Sequence, residues 1–176
     1  MYIFLCEDSL DGIFSGVYDA WASGYGHANV TLTTCCPDNY SLFHEYITVK
    51  TDLQKSAKVA RTLRKRMGLE TYEELCQAAL SSEQSSKRKQ PMNKADALYQ
   101  TIVLALSLPD SSKVLSYLGE PYVNRVFQLS RSTGNEAHHL LGFVRFQELE
   151  NGVLFARIHP KNDVLPFLGE HFSDRL

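Results

Sequence analysis

"GFVRFQELENGVLFARIHP", Gly142 to Pro160, is the stretch on which the reading of the fold turns. Asn151-Gly152 suits the two-residue turn of a tight β-hairpin, in which both positions take φ > 0. Centred there, Glu150 opposes Val153, Glu148 opposes Phe155, Phe146 opposes Arg157 and Val144 opposes His159. Arg145 then falls opposite Ile158, on the face of Phe143, Leu149, Leu154 and Ala156. Strand side chains alternate between faces, so Arg145 and Arg157 point to opposite sides, each among apolar neighbours. Such a hairpin reads as largely buried, and a buried guanidinium must find a carboxylate, carbonyls or an anion. Glu136, Glu148, Glu150 and Asp163 are the internal partners within reach. The alternative is that one arginine clamps the phosphate or carboxylate of a ligand, which its planar fork suits.

Working outward, the N-terminal "YIFLC", Tyr2 to Cys6, reads as a short buried strand. Asp8, with Asp11 three residues on, opens a helix whose Ile13, Phe14, Val17, Tyr18, Trp21 and Tyr25 form one apolar stripe. "VTLTT" and "HEYITVK" are strand candidates, with a turn at Cys36-Pro37-Asp38-Asn39 between them. Asp52 caps a helix that Gly68 is expected to stop, and Thr71 with Glu74 forms a capping box for the next one. Residues 81–93 are polar, contain proline, and read as a mobile loop. Lys94 to Leu108 is apolar almost all round and reads as the central core helix, ended by Pro109. Shorter helices are expected over Ser112–Leu118 and from Pro121 to Ser132 or beyond, and a last one over about residues 162–172. Strands at both ends of a helical block imply an α+β fold. The expectation is one domain over residues 1–176, with one small antiparallel sheet that includes the hairpin at about 142–159 and packs on the helices.

The 176 residues are 44% hydrophobic and 22% charged, ordinary for a globular protein. The longest apolar runs are too short to span a bilayer, and the N-terminus meets acid at Glu7 without a basic start, unlike a signal peptide. A cytoplasmic location without a membrane role is the expectation. Cys6, Cys35, Cys36 and Cys76 show no C-x-x-C spacing, so they read as reduced structural thiols.

A net charge of −2 hides a strong asymmetry. Residues 1–49 contain six acidic side chains and no Lys or Arg, whereas residues 50–94 contain eleven basic and five acidic ones. The centre of this basic block is "QKSAKVARTLRKRMG". On a helix, Ala60, Leu63 and Met67 make a buried seam, while Lys55, Lys58, Arg61 and Lys65 line another face flanked by Arg64 and Arg66. Cations in such a row can track a phosphate backbone, and the affinity comes largely from counterion release. They also suit a solvated helix whose C-terminal dipole favours cations. Lys87, Arg88, Lys89 and Lys94 add to the basic character. Aromatic side chains near this helix are scarce in sequence, Tyr72 apart, which does not support reading of single-stranded bases.

His138 and His139 precede the hairpin and His159 ends it. They are candidates for acid–base work, against the plainer reading of structural histidines. They lack the spacing and the companion thiolates or carboxylates of a zinc site, so no metal is expected. Arg145, Arg157, Arg125 and Arg175 are the anion or phosphate candidates. The chain has no G-x-S-x-G elbow, Walker loop, G-x-G-x-x-G fingerprint or deaminase signature. No cofactor is expected, and catalysis by this chain itself is the less favoured reading.

Three stretches carry a resemblance: "EDSLDGIFSGVYDAW" (7–21), "KADALYQTIVLAL" (94–106), and the ending "VNRVFQLSRSTGNEAHHLLGFVRFQELENGVLFARIHPKNDVLPFLGEHFSDR" (123–175). They resemble a bacterial family of unknown function called probable DNA metabolism proteins. Its members are encoded beside a radical-SAM protein of DNA modification or repair, and related domains occur fused to uracil-DNA-glycosylase-like domains. The most specific part is residues 124–175, where His139, Phe143, Arg145, Phe146, Gly152, Pro160, His171, Phe172 and Arg175 match the motif. Members continue past the position matching Arg175, so this chain reads as a truncated or short member. The resemblance implies DNA and a radical-SAM protein as partners, and it supplies no catalytic residues. The expected function is an accessory DNA-metabolism protein that binds nucleic acid through Lys55, Lys58, Arg61, Arg64 and Lys65. The alternatives are a nucleotide- or DNA-processing enzyme using the three histidines with Arg145 or Arg157, and a pure protein-interaction module.

Overall fold

The computed structural model describes residues 1–36, 41–83 and 92–173. Three short strands, β1 (Tyr2–Leu5), β2 (Val30–Thr33) and β3 (Glu45–Thr48), form a sheet in the order β2-β1-β3. Both pairings are parallel, with Phe4 opposite Leu32 on one side and Ile47 on the other. Helix α1 (Leu10–Ala22) lies between β1 and β2. It carries the chain back to the end where β1 began, which is why β2 enters in the same direction. The other helices are α2 (Leu53–Ala79), α3 (Lys94–Ser107), α4 (Pro121–Phe143) and α5 (Leu165–Ser173). Strands β4 (Gln147–Glu148) and β5 (Leu154–Phe155) pair only with each other.

The class is mixed helix and strand, as expected, but the single antiparallel sheet is not observed. The main sheet is parallel and N-terminal, and the hairpin is a separate two-stranded ribbon. Its register also differs. Gln147 faces Phe155 and Glu148 faces Leu154, one residue out of step with a two-residue turn. Leu149 and Val153 flank a three-residue loop, Leu149 N–H donating to the Val153 carbonyl at 2.9 Å and Gly152 N–H to the Leu149 carbonyl at 2.8 Å. Gly152 alone takes positive φ, at 77°, and Asn151 does not. The three-residue hairpin needs only that one left-handed residue, and a one-residue slip exchanges faces along a strand.

One core holds the N-terminal layer and the helices together. Phe4, Phe14, Leu32, Leu63, Leu98, Tyr99, Ile102 and Val126 all belong to it. Gly16 lets α1 press onto β1, since a Cβ there would lie 2.2 Å from the Cys6 Sγ. The outer edge of β2 is covered by α3: Leu32 N–H donates to Asp96 and Thr34 N–H to Asn93, both at 3.3 Å. These side chains occupy amides that an open sheet edge would leave unpaired. A smaller cluster of Ala137, Val164 and Leu168 joins α4 to α5, with Ile158 and Phe172 against it.

The stop expected at Gly68 is present as a kink: Gly68 takes non-helical φ 83° and ψ 172°, and two helical segments meet there within α2. The helix resumes because its buried seam continues through Met67, Thr71, Tyr72 and Leu75. The Thr71 hydroxyl donates to the Ser112 carbonyl at 2.9 Å instead of closing a capping box. At the start of α1 the cap is Ser9, whose Oγ accepts from Gly12 N–H at 3.0 Å. Asp8, expected as the cap, is instead ion-paired to Lys94. The turn expected at Pro37–Asn39 and most of the expected loop at 81–93 lie outside the described residues. Helix α4 extends to Phe143 and so takes up residues expected in the hairpin.

Candidate nucleic-acid interface

The first fifteen residues of α2 carry the basic face. Asp52 caps the helix, its carboxylate accepting from Gln54 and Lys55 N–H. Those two backbone hydrogen bonds hold its carboxyl below the usual range. Ser56, Val59, Leu63 and Met67 are buried, a seam at i, i+3, i+7 and i+11. Lys58, Arg61 and Lys65 repeat at i, i+3 and i+7 on the opposite face and are all exposed. None of the three forms an ion pair among the described residues. Lys58 has its ammonium 5.4 Å from the centre of the Tyr18 ring, and Arg66 is also exposed.

The other two predicted members of this face are engaged. Lys55 bonds the Asp19 carboxylate at 2.7 Å, and that hydrogen bond raises its ammonium above the ordinary lysine value. Arg64 has its guanidinium 4.5 Å from the centre of the Tyr72 ring. Among the described residues, Lys58, Arg61, Arg64, Lys65 and Arg66 are exposed without an ion pair, and Lys58, Arg61 and Lys65 form the stripe. Lys94, counted with the basic block in sequence, is buried and donates to the Ser81 carbonyl at 2.6 Å. Lys87, Arg88, Lys89 and Arg175 lie outside the described residues.

Beside the stripe, α1 supplies what the sequence did not reveal. A groove of about 390 Å³ opens between α1, α2 and α3, with Tyr18, Trp21, Val59, Leu63 and Ile102 on its walls and Lys58 at its margin. Trp21 remains 44% exposed. Its indole packs on His27 at 4.4 Å between ring centres, and His27 Nδ1 is hydrogen-bonded to the Tyr99 hydroxyl at 2.8 Å. Burial pushes the Tyr99 hydroxyl up to about 12, with the Asp96 carboxylate adding to it. A helical periodicity showed Tyr18 and Trp21 as one stripe of α1; only the packing of α1 on α2 sets them beside cations.

The remaining candidates lie mostly at the surface. His138, His139 and His159 are exposed, and none of them lines the groove at the hairpin. His139 stacks on Phe143, with ring centres 6.5 Å apart. Among the described residues, no three His, Cys, Asp or Glu side chains come together as a metal site would need. The hairpin arginines are not buried: Arg145 and Arg157 are both exposed. Arg145 donates to its own neighbours, the Gly142 and Val144 carbonyls, at 3.3 and 3.2 Å. Both arginines lie outside the two-residue strands β4 and β5. The puzzle of two buried guanidinium groups disappears because the ribbon stands at the surface. Arg125 is partly buried, bonded to Glu83 at 3.2 Å and to the Met92 carbonyl.

The hairpin and α5 instead present apolar surface. Phe143, Leu149, Val153, Leu154, Phe155 and Leu165 are between 43% and 72% exposed. No helix among the described residues is long and apolar enough to cross a membrane.

A family model described as a domain of unknown function (DUF4130) matches residues 92–176, the part that starts at α3 and includes the hairpin. Neither the curated proteins nor the solved structures yield a match to the chain.

Proposed function

We propose that this chain is an accessory DNA-metabolism protein that binds nucleic acid through α2 and leaves the chemistry to a partner. The observation that carries the reading is the Lys58–Arg61–Lys65 stripe, three exposed cations that form no ion pair among the described residues, set opposite the buried seam of their helix. Ion pairs would have cancelled this charge; left free, it favours a polyanion, with affinity that falls as salt rises. The resemblance of the C-terminal half supplies the setting, a radical-SAM protein of DNA modification or repair. The exposed apolar hairpin is the surface on which a protein partner would dock, because patches of this kind mark interaction sites. An enzymatic role for His138, His139 or His159 has less support, as all three imidazoles are exposed, as are Arg145 and Arg157.

The test is fluorescence anisotropy of labelled DNA across a salt series, with the wild-type protein and Lys58→Glu/Arg61→Glu/Lys65→Glu. Micromolar binding that weakens steeply with salt and collapses in the triple variant is expected. Absence of binding at low salt would remove the nucleic-acid reading and leave the hairpin, as a protein-docking module, as the functional surface.

A further inference from the structure

We propose that the groove between α1, α2 and α3 receives an unpaired base of single-stranded nucleic acid, laid against Trp21, while its neighbouring phosphates meet Lys58, Arg61 and Lys65. This rests on the nucleic-acid reading of the basic stripe and gives it a strand preference. The groove, at about 390 Å³, falls within the size range of small-ligand sites, which are apolar with a few polar groups at defined places. Its walls are apolar and aromatic, and its margin is cationic where Lys58 belongs to both groove and stripe. That pairing of stacking surface with backbone-tracking charge is what single-strand binding uses.

Charge decides between a base and an apolar helix of a protein as the occupant. A helix laid in the groove would bury Lys58 beside Arg61 and Lys65 without offering them anything, whereas each nucleotide brings a phosphate with its base. The platform is also pre-set. Trp21 is backed by His27, which Tyr99 holds by a 2.8 Å hydrogen bond, so little ordering is left to be done on binding. A duplex keeps its bases stacked inside and cannot enter a groove between helices, which is why the occupant is an unpaired base.

Trp21 is the sole tryptophan of the chain, so indole emission reports on this groove alone. The unmodified protein is titrated with a ten-nucleotide single strand, an abasic strand of equal length and charge, and a blunt duplex. Saturable quenching by the base-containing strand is expected, with binding about tenfold tighter than to the abasic strand, in line with stacking on one aromatic platform. Trp21→Leu, followed by anisotropy of the labelled strands, is expected to bring the two affinities together. Equal affinity for base-containing and abasic strands with unchanged emission, or equal quenching by the duplex, overturns the groove as a base site while the basic stripe stands. Failure of every strand to bind at low salt overturns both.

Discussion

The Lys94 ammonium and the Asp8 carboxylate form an ion pair in which only the acid meets solvent, their side chains being 3% and 54% exposed. The ammonium also donates to the Ser81 carbonyl, so the start of α3 is tied both to the start of α1 and to the end of α2. Removing one partner of such a pair strands a charge away from water. Asp8→Asn is expected to cost about 2 kcal/mol, less than for a fully enclosed pair because solvent reaches the acid side. Lys94→Met removes the charge along with its need for a partner and should cost less. Urea unfolding of the two variants checks this, and the opposite order would show that the pair does not govern the site.

Lys55 and Lys58 are one turn apart and should behave differently toward DNA. Lys55 is already neutralised by Asp19 at 2.7 Å, whereas Lys58 lies over the Tyr18 ring and forms no ion pair among the described residues. Lys58→Gln is expected to lower the slope of log affinity against log salt by roughly 0.7–0.9, one phosphate contact's worth. Lys55→Gln should leave the slope nearly unchanged. Anisotropy titrations at four or five salt concentrations separate the two.

Glu136 anchors the segment leading into α5. Its carboxylate accepts from Lys161 N–H at 2.7 Å, from Asn162 N–H at 2.8 Å and from the Asn162 side chain at 2.7 Å. Burial pushes its carboxyl up, but those hydrogen bonds prevail and hold it below the ordinary glutamate value of 4.5. The stability it lends is therefore complete above the unfolded value and is lost as pH falls through the lower folded one. Amide protection in α5 is expected to drop below about pH 4.5 before that of α3 does. Glu136→Gln should weaken α5 at neutral pH and flatten this pH dependence. Loss of protection in both helices together would refute the assignment.

Gly16 is a matter of space. An added Cβ would stand 2.2 Å from the Cys6 Sγ and 3.3 Å from a Leu32 methyl. The Cys6 thiol is buried and neutral, pushed up to about 12 by burial and by the Asp19 carboxylate. Gly16→Ala is expected to destabilise by about 1–3 kcal/mol through overpacking. Combined with Cys6→Ala, it should cost less than the two single changes added together, a coupling that a double-mutant cycle on thermal or urea unfolding reads directly.

The helices were legible because a period of 3.6 survives in short windows: the stripe of α1, the near-uniform apolar run of α3 and the basic face of α2 can all be read from spacing. Strand direction is not written in alternation, so three four-residue strands looked the same whether parallel or antiparallel. The hairpin misled through Asn151-Gly152, whose usual two-residue turn was replaced by a three-residue loop that asks a left-handed conformation of Gly152 alone. With that slip, a ribbon read as buried turned out to lie at the surface. At the site, the cations were visible and their availability was not. Asp19 claims Lys55 and the core swallows Lys94, each through a contact between distant segments, while the exposed Arg64 lies over Tyr72 of the same α2. Trp21 beside Lys58 is likewise a product of helix packing.

Asn93 and Asp96, at the head of the family-matched stretch, spend their side chains on amides of β2 and its following residue. Leu98, Ile102, Val123 and Val126 sit in the same core as Phe4, Phe14 and Leu63. The family match therefore begins at residue 92, but the packed core does not. Cut free there, the C-terminal segment would expose the flank that the first 83 residues cover, an apolar surface with no second layer to rest on. A relative sharing only this stretch must bring a lining of its own for that flank, whether an unrelated N-terminal module or another polypeptide.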